Sequence, residues 1–384
     1  MKRMLCALLA LALLAWPLPA ALAAPAAPAE NLAVDCGACL LMEKTTGEVL
    51  YAVNEHQQLE PASVTKIMTI LLVMEAIDAG QLAYDDLVTA SAYACSMGGS
   101  QIWLKENEQM TVEDMLKAVC VVSANDCSVA LAEHLAGSAE AFVDKMNQRA
   151  GELGMKDTNF VNPTGLPAQG HVTSAYDIAL MSRELILNHP DIRRFTTIWM
   201  DSLRDGASGL VNTNKLIRFY QGATGLKTGS TDAALYCLSA TAERDGMELI
   251  AVIMKAPTSP KRFEGAKALL NYGFASYALV AVEAPEELAP IPVELGSAAG
   301  VQPRLEGAGS LLVRKDQAAG IRIEVELAQS LAAPVAQDQP VGRLTVSAGE
   351  EELATLPLVA ESAVERLSYW EIFLRCVRMA FLGG

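Results

Sequence analysis

The spacing of apolar residues changes along the chain and predicts where strands and helices lie. Alternation in ACLLMEKTTGEVLYAV (38–53) predicts two short strands joined at Thr45-Thr46-Gly47. Helical spacing follows near Pro61, in MTVEDMLKAVCVV, in SVALAEHLAG with AFVDKMNQRAGELG, and in TSAYDIALMSRELIL, where Thr173 or Ser174 is the expected cap. A strand pair is thus followed by a series of helices.

Strand patterns return in the second half of the chain. ALYCLSATAERDGMELIAVIMKA predicts two apolar strands around an Asp245-Gly246 turn, and the Lys227-Thr228-Gly229 triplet is expected to open the first of them. A helix in RFEGAKALLNYGF then leads to about residue 275. Strands at both ends with helices between them predict one mixed α+β domain, residues 31–276, whose sheet joins its two termini.

Two further segments follow this domain. Short alternating runs such as GIRIEVEL and GRLTVSA predict a small β-rich domain over residues 285–360. Residues 361–384 predict an amphipathic helix with one apolar, aromatic-rich face and one charged face that carries Glu371, Arg375 and Arg378. The apolar face comprises Leu367, Trp370, Phe373, Leu374, Val377 and Phe381. Such a helix would lie in a membrane interface, and the alternative is a helix docked on its own domain.

The chain begins with a pattern typical of secretory signals. Lys2 and Arg3 precede an apolar run from Met4 to Trp16, and small residues follow up to Ala23. The run is too short to span a bilayer, and the small residues mark a cleavage site. We therefore expect a signal peptide (1–23), a Pro/Ala spacer (24–30) and export of the protein, with an uncleaved anchor as the weaker alternative.

Charge and metal-ligand spacing exclude several classes of function. Without Lys2 and Arg3 the chain has 27 basic and 45 acidic residues, a net charge of about −18 that argues against a nucleic-acid partner. The Cys36-Gly-Ala-Cys39 pair has no second pair beside it, and the four histidines show no ligand spacing. Seven cysteines are left without a regular framework, so most are expected to be small buried apolar residues. We expect no metal, and no cofactor beyond water.

Three short motifs carry the chemistry. Ser63 and Lys66 lie three residues apart in a helical pattern, which would hold a hydroxyl beside an amine. Ser123-Ala124-Asn125 follows 60 residues later, and Lys227-Thr228-Gly229 lies 104 residues beyond Ser123. Each motif alone is weak. S-x-x-K, S-x-N and K-T-G in this order are the signature of active-site serine enzymes that recognise penicillin.

The residue types suggest a role for each position. Ser63 is the candidate nucleophile and Lys66 its base, provided that burial and a second cation, Lys227, lower the lysine pKa from about 10.4 towards neutrality. Ser123 would bridge the two lysines and relay the proton to the leaving amine. Asn125 would hold a catalytic side chain or the substrate. The backbone N–H groups of Ser63 and Ser230 are the expected oxyanion donors.

From residue 31 to its end the chain resembles the D-alanyl-D-alanine carboxypeptidases, which are serine-type penicillin-binding proteins of low molecular mass. The resemblance extends to SMGGSQIWL (96–104), NPTGLP (162–167), HVTSAYDIALMSREL (171–185) and VNTNKL (211–216). It implies an α+β fold with an antiparallel sheet flanked by helices. It also implies removal of the terminal D-alanine from peptidoglycan stem peptides on the outer face of the cytoplasmic membrane, with β-lactams acylating Ser63. A monomer and a homodimer both stay open.

The substrate ends in a carboxylate, so its pocket needs a cation and hydroxyl donors. Thr228, Lys227 and Arg262 are the candidates for this contact, while Asn125, Gly229 and Ser230 are expected to bind the peptide. Arg262 lies where the family carries a basic residue, although it could also be a solvated arginine at a helix start. At Thr213 some relatives have an arginine.

Three alternatives share the motifs. A β-lactamase would add a deacylating glutamate, but the E-x-x-L-N match at Glu184–Asn188 falls within a predicted amphipathic helix. A catalytically weak scaffold would not need all five polar residues. An endopeptidase acting on D-Ala cross-links is not separated from a carboxypeptidase by the sequence.

Overall fold

The computed structural model describes residues 32–285, 288–307, 309–318 and 320–382. The predicted signal peptide (1–23) and spacer (24–30) lie outside these residues. The strands are β1 (Ala38–Glu43), β2 (Val49–Val53), β3 (Leu87–Thr89), β4 (Gln109–Thr111), β5 (Met200–Leu203), β6 (Ser208–Val211), β7 (Ala223–Thr231), β8 (Leu235–Arg244), β9 (Met247–Ala256), β10 (Tyr277–Ala281), β11 (Ile291–Glu294), β12 (Gly300–Val301), β13 (Pro303–Leu305), β14 (Ser310–Arg314), β15 (Ile321–Leu327), β16 (Leu331–Ala332), β17 (Pro340–Ala348) and β18 (Glu351–Ala360).

The helices include two short 3-10 turns, Ala62–Thr65 and Pro190–Ile192. The α-helices are α1 (Lys66–Asp78), α2 (Ala92–Cys95), α3 (Val112–Val121), α4 (Asn125–Ala136), α5 (Ala139–Glu152), α6 (Ala175–Asn188), α7 (Arg193–Thr196), α8 (Leu216–Phe219), α9 (Ser259–Ser276), α10 (Lys315–Ala318) and α11 (Tyr369–Leu382). Of the two caps predicted for α6, the structure uses Ser174, whose hydroxyl accepts the Asp177 N–H.

A five-stranded antiparallel sheet forms the centre of the larger part, in the order β2-β1-β9-β8-β7. It joins the first strands of this part to the last, as the sequence predicted. Side chains of β1 alternate between two cores, because successive residues point to opposite faces of a strand. Leu40 and Met42 pack in the core that contains α6, whereas Cys39 and Leu41 pack in the core that contains α9. Helices thus cover both faces, which confirms the predicted α+β class.

The K-T-G motif does not lie where the sequence pattern suggested. It belongs to β7, an edge strand of its own, and the Asp245-Gly246 turn joins β8 to β9. The prediction was wrong because β7 contains Gly225, Gly229 and several hydroxyl residues and therefore lacks an apolar strand pattern. The sequence analysis also missed two small antiparallel strand pairs, β3-β4 and β5-β6.

The remaining part of the described chain is rich in strands. One sheet has the order β13-β18-β17-β15, and a smaller one has the order β12-β11-β16. Leu344, Val346 and Leu358 are fully buried in one of its cores. Strand β10 follows α9 without a break and pairs with β14, so strand structure begins at Tyr277. The limits 285–360 stay a prediction.

The C-terminal helix begins later than residue 361. The segment before it attaches to the β-rich part through bridges between Val364 and Val335 and between Arg366 and Gly296. Helix α11 then starts at Tyr369 with a capping box, in which the Ser368 hydroxyl accepts the Glu371 N–H and the Glu371 carboxylate accepts the Ser368 N–H. Among the residues that the structure describes, no helix is both long and apolar enough to span a membrane.

Candidate active site

Ser63 and Lys66 meet at the start of the first long helix. Ser63 lies half-buried in the 3-10 turn, and Lys66 is the first residue of α1. The Lys66 Nζ atom is 2.9 Å from Ser63 Oγ. The structure therefore contains the predicted contact between the hydroxyl and the amine.

The Lys66 amine is fully buried and has two further acceptors. Asn125 Oδ1 lies 2.5 Å and the Thr164 carbonyl oxygen 2.7 Å from Nζ. Burial lowers the pKa of Lys66 well below its ordinary value, the positive charge of Lys227 lowers it further, and Asp126 opposes the shift. A neutral amine has two N–H donors and one lone pair. Asn125 and Thr164 accept the two N–H bonds, so the lone pair is left for the Ser63 hydroxyl.

The loop 162–167 holds the Thr164 carbonyl in place. Asn162 Oδ1 accepts the N–H groups of Thr164 and Gly165 at 3.1 and 2.7 Å. The Pro163 carbonyl accepts hydroxyls from Thr69 of α1 and Ser128 of α4. In the sequence this loop indicated only a resemblance to the family. Its contact with Lys66 was missed, although Asn-Pro-x-Gly is a turn signal.

Gly165 packs against Ala62, the residue before Ser63. Its φ is +80°, and a Cβ placed there would lie 1.8 Å from the Ala62 carbonyl oxygen. Only glycine fits, because other residues would be strained by both the backbone conformation and the contact.

Gly165→Ala is therefore expected to lower the free energy of unfolding by about 2–4 kcal/mol and to reduce activity. Gly154→Ala is the matched control, since Gly154 has a φ of +74° and nothing within 4 Å of its Cβ position. The control should cost only about 1 kcal/mol. Denaturant midpoints measure both effects, and equal losses in the two variants would contradict the packing argument.

Ser123 and Asn125 lie between α3 and the start of α4. Both polar atoms of the Asn125 side chain are hydrogen-bonded. Its Nδ2 donates to the Gly98 carbonyl at 2.6 Å, and its Oδ1 accepts from Lys66 Nζ. Ser123 is buried with a φ of +65°, and its Oγ has no hydrogen-bond partner among the described residues. The structure therefore does not show the expected bridge from Ser123 to both lysines, and it leaves the Ser123 hydroxyl uncommitted.

Lys227 supplies a second buried amine. Its Nζ donates to the Thr228 carbonyl at 2.9 Å, and its side chain is 1% exposed. Burial lowers the pKa of Lys227 to about 7, Cys120 partly offsets the shift and Arg262 adds to it. The charge of Lys227 thus changes near neutral pH.

Two threonine hydroxyls, those of Thr228 and Thr213, lie in contact next to Lys227 in the site. Thr228 Oγ1 lies 2.7 Å from Thr213 Oγ1, and the Thr213 N–H donates to the Val121 carbonyl at 3.1 Å. Thr213 thus places a second hydroxyl beside that of Thr228.

Arg262 is buried against the backbones of β7 and β8. Its Nη1 donates to the carbonyls of Gly229 and Cys237 at 3.1 and 3.3 Å, and its side chain is 8% exposed. The guanidinium lies over the rings of Tyr236 and Phe263. The interpretation of Arg262 as a solvated arginine is therefore wrong, while its part in substrate binding stays a prediction. The residue ties β7 to β8 through their backbones because α9 packs directly on this part of the sheet.

Gly229 allows β7 to approach the backbone of Ser63 closely. A Cβ at Gly229 would lie 2.8 Å from the Ser63 nitrogen and 2.9 Å from the Val64 nitrogen. The first turn of the helix therefore meets the strand at this glycine, and Ser230 follows on the exposed side. This places both expected oxyanion donors at one junction.

His171 is a buried neighbour that the sequence did not single out as a site residue. Its Nδ1 accepts the Val161 N–H at 3.0 Å, so its proton lies on Nε2, 2.8 Å from Thr65 Oγ1. Burial is the main cause that lowers the pKa of His171 to about 4. The ring is neutral at physiological pH and holds the turn that carries Ser63.

A family model described as D-alanyl-D-alanine carboxypeptidase matches residues 23–258. The chain belongs to the D-alanyl-D-alanine carboxypeptidase family. A second model, described as the C-terminal domain of penicillin-binding protein 5, matches residues 283–366. The carboxypeptidase DacF of Bacillus subtilis (strain 168) is 40% identical over 344 residues, covering 88% of each chain.

Solved structures of penicillin-binding proteins are similar to this chain. Penicillin-binding protein 5 of Haemophilus influenzae has a TM-score of 0.79 at 30% identity, covering 88% of this chain and 99% of that one. Penicillin-binding protein D2 of Listeria monocytogenes, in its ampicillin-bound form, has a TM-score of 0.59 at 34% identity, covering 64% and 99%.

The structure also accounts for the β-lactamase-like E-x-x-L-N match in this carboxypeptidase. Glu184 lies in α6, where its carboxylate accepts Arg149 Nη2 at 2.6 Å and Asn188 Nδ2 at 2.9 Å. The Glu184 carboxylate therefore takes part in the contact between α5 and α6. It makes no hydrogen bond to Ser63 or Lys66.

Proposed function

We propose that this enzyme removes the terminal D-alanine of peptidoglycan stem pentapeptides through an acyl-enzyme on Ser63. The observation that carries the proposal is the Ser63-Lys66 contact, with the two lysine N–H bonds already accepted by Asn125 and Thr164. A serine becomes a strong nucleophile when a neighbouring group takes its proton. The lowered pKa of Lys66 favours the neutral amine, which can take this proton.

In acylation, Lys66 takes the Ser63 proton while Oγ attacks the carbonyl carbon of the penultimate D-alanine. The backbone N–H groups of Ser63 and Ser230 would receive the developing oxyanion at the junction formed by Gly229. The C–N bond then breaks, and its nitrogen takes the proton that Lys66 holds. Ser123, whose hydroxyl is uncommitted, is the proposed relay for this transfer.

The departing D-alanine carries the substrate carboxylate. We place it at the hydroxyls of Thr228 and Thr213, beside the amine of Lys227. Charge-assisted hydrogen bonds of this kind are stronger than neutral ones. Arg262 would act only indirectly, by holding the Gly229 and Cys237 carbonyls.

Deacylation repeats the chemistry with water. Lys66 takes a proton from water as the hydroxide oxygen attacks the ester carbonyl, and the proton returns to Ser63 Oγ when the ester breaks. The products are the free enzyme and a stem peptide shortened by one residue. A β-lactam would acylate the same serine, in line with the ampicillin-bound relative.

D-Alanine release from diacetyl-Lys-D-Ala-D-Ala tests this function, and a cross-linked peptide dimer tests the endopeptidase alternative alongside it. We expect release from the tripeptide. Cleavage of the dimer without release from the tripeptide would contradict the proposal and favour an endopeptidase.

We further propose that the protein is exported and that α11 holds it on the outer face of the cytoplasmic membrane. Support comes from the signal-like residues 1–23 and from the aromatic stripe, where Trp370, Phe373 and Phe381 are 66%, 54% and 82% exposed. Trp370 and Phe373 stack at 5.4 Å without being covered by the β-rich part. Arg375 and Arg378 add charges suited to anionic lipid.

Deleting residues 369–384 is expected to release the protein from anionic phospholipid vesicles while leaving tripeptide hydrolysis intact. The cut is placed after Ser368 because residues 361–368 carry the bridges at Val364 and Arg366. A full-length Trp370→Ser/Phe373→Ser variant separates the loss of apolar area from the loss of chain length. It should bind vesicles less than the wild type, because it lacks the two aromatic side chains. Vesicle sedimentation measures binding, and retention of the truncated protein would contradict the anchor.

A further inference from the structure

A pocket of about 290 Å³ adjoins the catalytic junction without taking part in the chemistry described above. Its walls come from residues 60–62, from the loop 165–169 with His171, and from Thr231 and Ala233. Ala62 immediately precedes Ser63, and Thr231 immediately follows Ser230. The pocket therefore borders both of the proposed oxyanion donors.

The direction of the substrate along β7 decides which group reaches this pocket. The carboxylate is placed at Thr228 and the scissile carbonyl at the N–H groups of Ser63 and Ser230. The peptide thus runs antiparallel to β7, and its residues before the scissile bond continue towards Thr231. A strand advances about 3.3 Å per residue, so the residue before the penultimate D-alanine lies level with Thr231 and the pocket.

The lining has one formal charge. Pro61, Leu166, Pro167 and the alanines give an apolar wall, and Glu60 is the single acidic residue. His171 adds no charge, because its pKa is lowered to about 4. An unbranched aliphatic chain ending in a cation fits such a wall, since its methylenes cover apolar surface while its charged end meets the carboxylate.

We propose that this pocket receives the side chain of the third stem residue, and that Glu60 favours a side chain ending in an ammonium group. The inference rests on the proposed carboxypeptidase function and deepens it by naming a specificity-determining residue. Glu60 is exposed, so its effect is that of a partly solvated ion pair and is modest.

The test compares two acetylated tripeptides, X-D-Ala-D-Ala, in which X is lysine with a free ε-amine or norleucine, its uncharged analogue of similar length. The quantity measured is the ratio of their kcat/KM values from D-alanine release. We expect the full-length enzyme to prefer the lysine peptide roughly threefold to fivefold. Glu60→Gln should bring the ratio close to one.

A matched control separates Glu60 from the general attraction of an acidic protein for a cation. Glu140→Gln removes the same charge from the exposed first turn of α5, and it should retain the wild-type ratio. Turnover of both peptides without preference, or a preference that persists in Glu60→Gln, overturns the pocket proposal alone. Absence of D-alanine release from both peptides in the wild type overturns the carboxypeptidase function and the pocket with it.

Discussion

Ser63→Ala abolishes D-alanine release from diacetyl-Lys-D-Ala-D-Ala and labelling by a fluorescent penicillin, with an expected loss of about 10,000-fold or more in kcat/KM. Both reactions form a bond from Ser63 Oγ to a carbonyl carbon. The Lys66 amine, 2.9 Å from this oxygen, has no other hydroxyl among its hydrogen-bond partners. Removal of one oxygen atom therefore removes the nucleophile and leaves the base without a proton to accept.

The matched control is Ser362→Ala, which removes an exposed hydroxyl just after β18. This variant should retain wild-type release and labelling. Thermal unfolding midpoints of both variants should remain close to that of the wild type, so that lost activity reports chemistry. A Ser63→Ala enzyme that still forms a stable penicillin adduct would place the nucleophile elsewhere.

Lys66→Arg and Lys66→Met are both expected to slow acylation by about 1,000-fold or more. Arginine keeps the positive charge and the donors, but it stays protonated and cannot accept the Ser63 proton. Methionine removes charge and donors together. If Lys66 acted only as a fixed positive charge, the arginine variant would keep much of the activity. Penicillin acylation rates distinguish the two roles, with Lys145→Met on the exposed face of α5 as the control.

The same assignment fixes a pH dependence. Burial first and Lys227 second lower the pKa of Lys66 well below its ordinary value, which favours the neutral base. Acylation should therefore persist well below about pH 10 and fall as acidification passes through this lowered pKa, because Lys66 then binds a proton. Acylation that appeared only above pH 10 would show an unperturbed lysine and contradict the assignment.

Local signals predicted the parts of the fold that local physics determines. The alternation in β1 and β2, the Asp245-Gly246 turn and the Ser174 cap depend on neighbours in sequence, and each is present. The position of β7 was mistaken because an edge strand that approaches a helix at Gly229 needs small and polar residues. Apolar periodicity cannot identify such a strand.

In the candidate site, too, some features could be predicted from the sequence and others depend on tertiary packing. The motifs predicted Ser63, Lys66, Ser123, Asn125 and Lys227 as site residues, because the proposed chemistry requires those residue types. The Thr164 carbonyl was missed because a backbone acceptor leaves no side-chain signature, and it lies 98 residues from Lys66 in the chain. The burial of Arg262 likewise depends on how α9 packs against β7 and β8. Tertiary packing alone decides both features.

The central claim is that one serine site carries out peptide hydrolysis and penicillin binding. The most direct measurement is the rate of D-alanine release after incubation with increasing molar equivalents of penicillin. We predict a linear fall that reaches zero at one equivalent, with the adduct mapped by mass spectrometry to the peptide containing Ser63. Release that continues undiminished in the fully labelled enzyme would contradict the account.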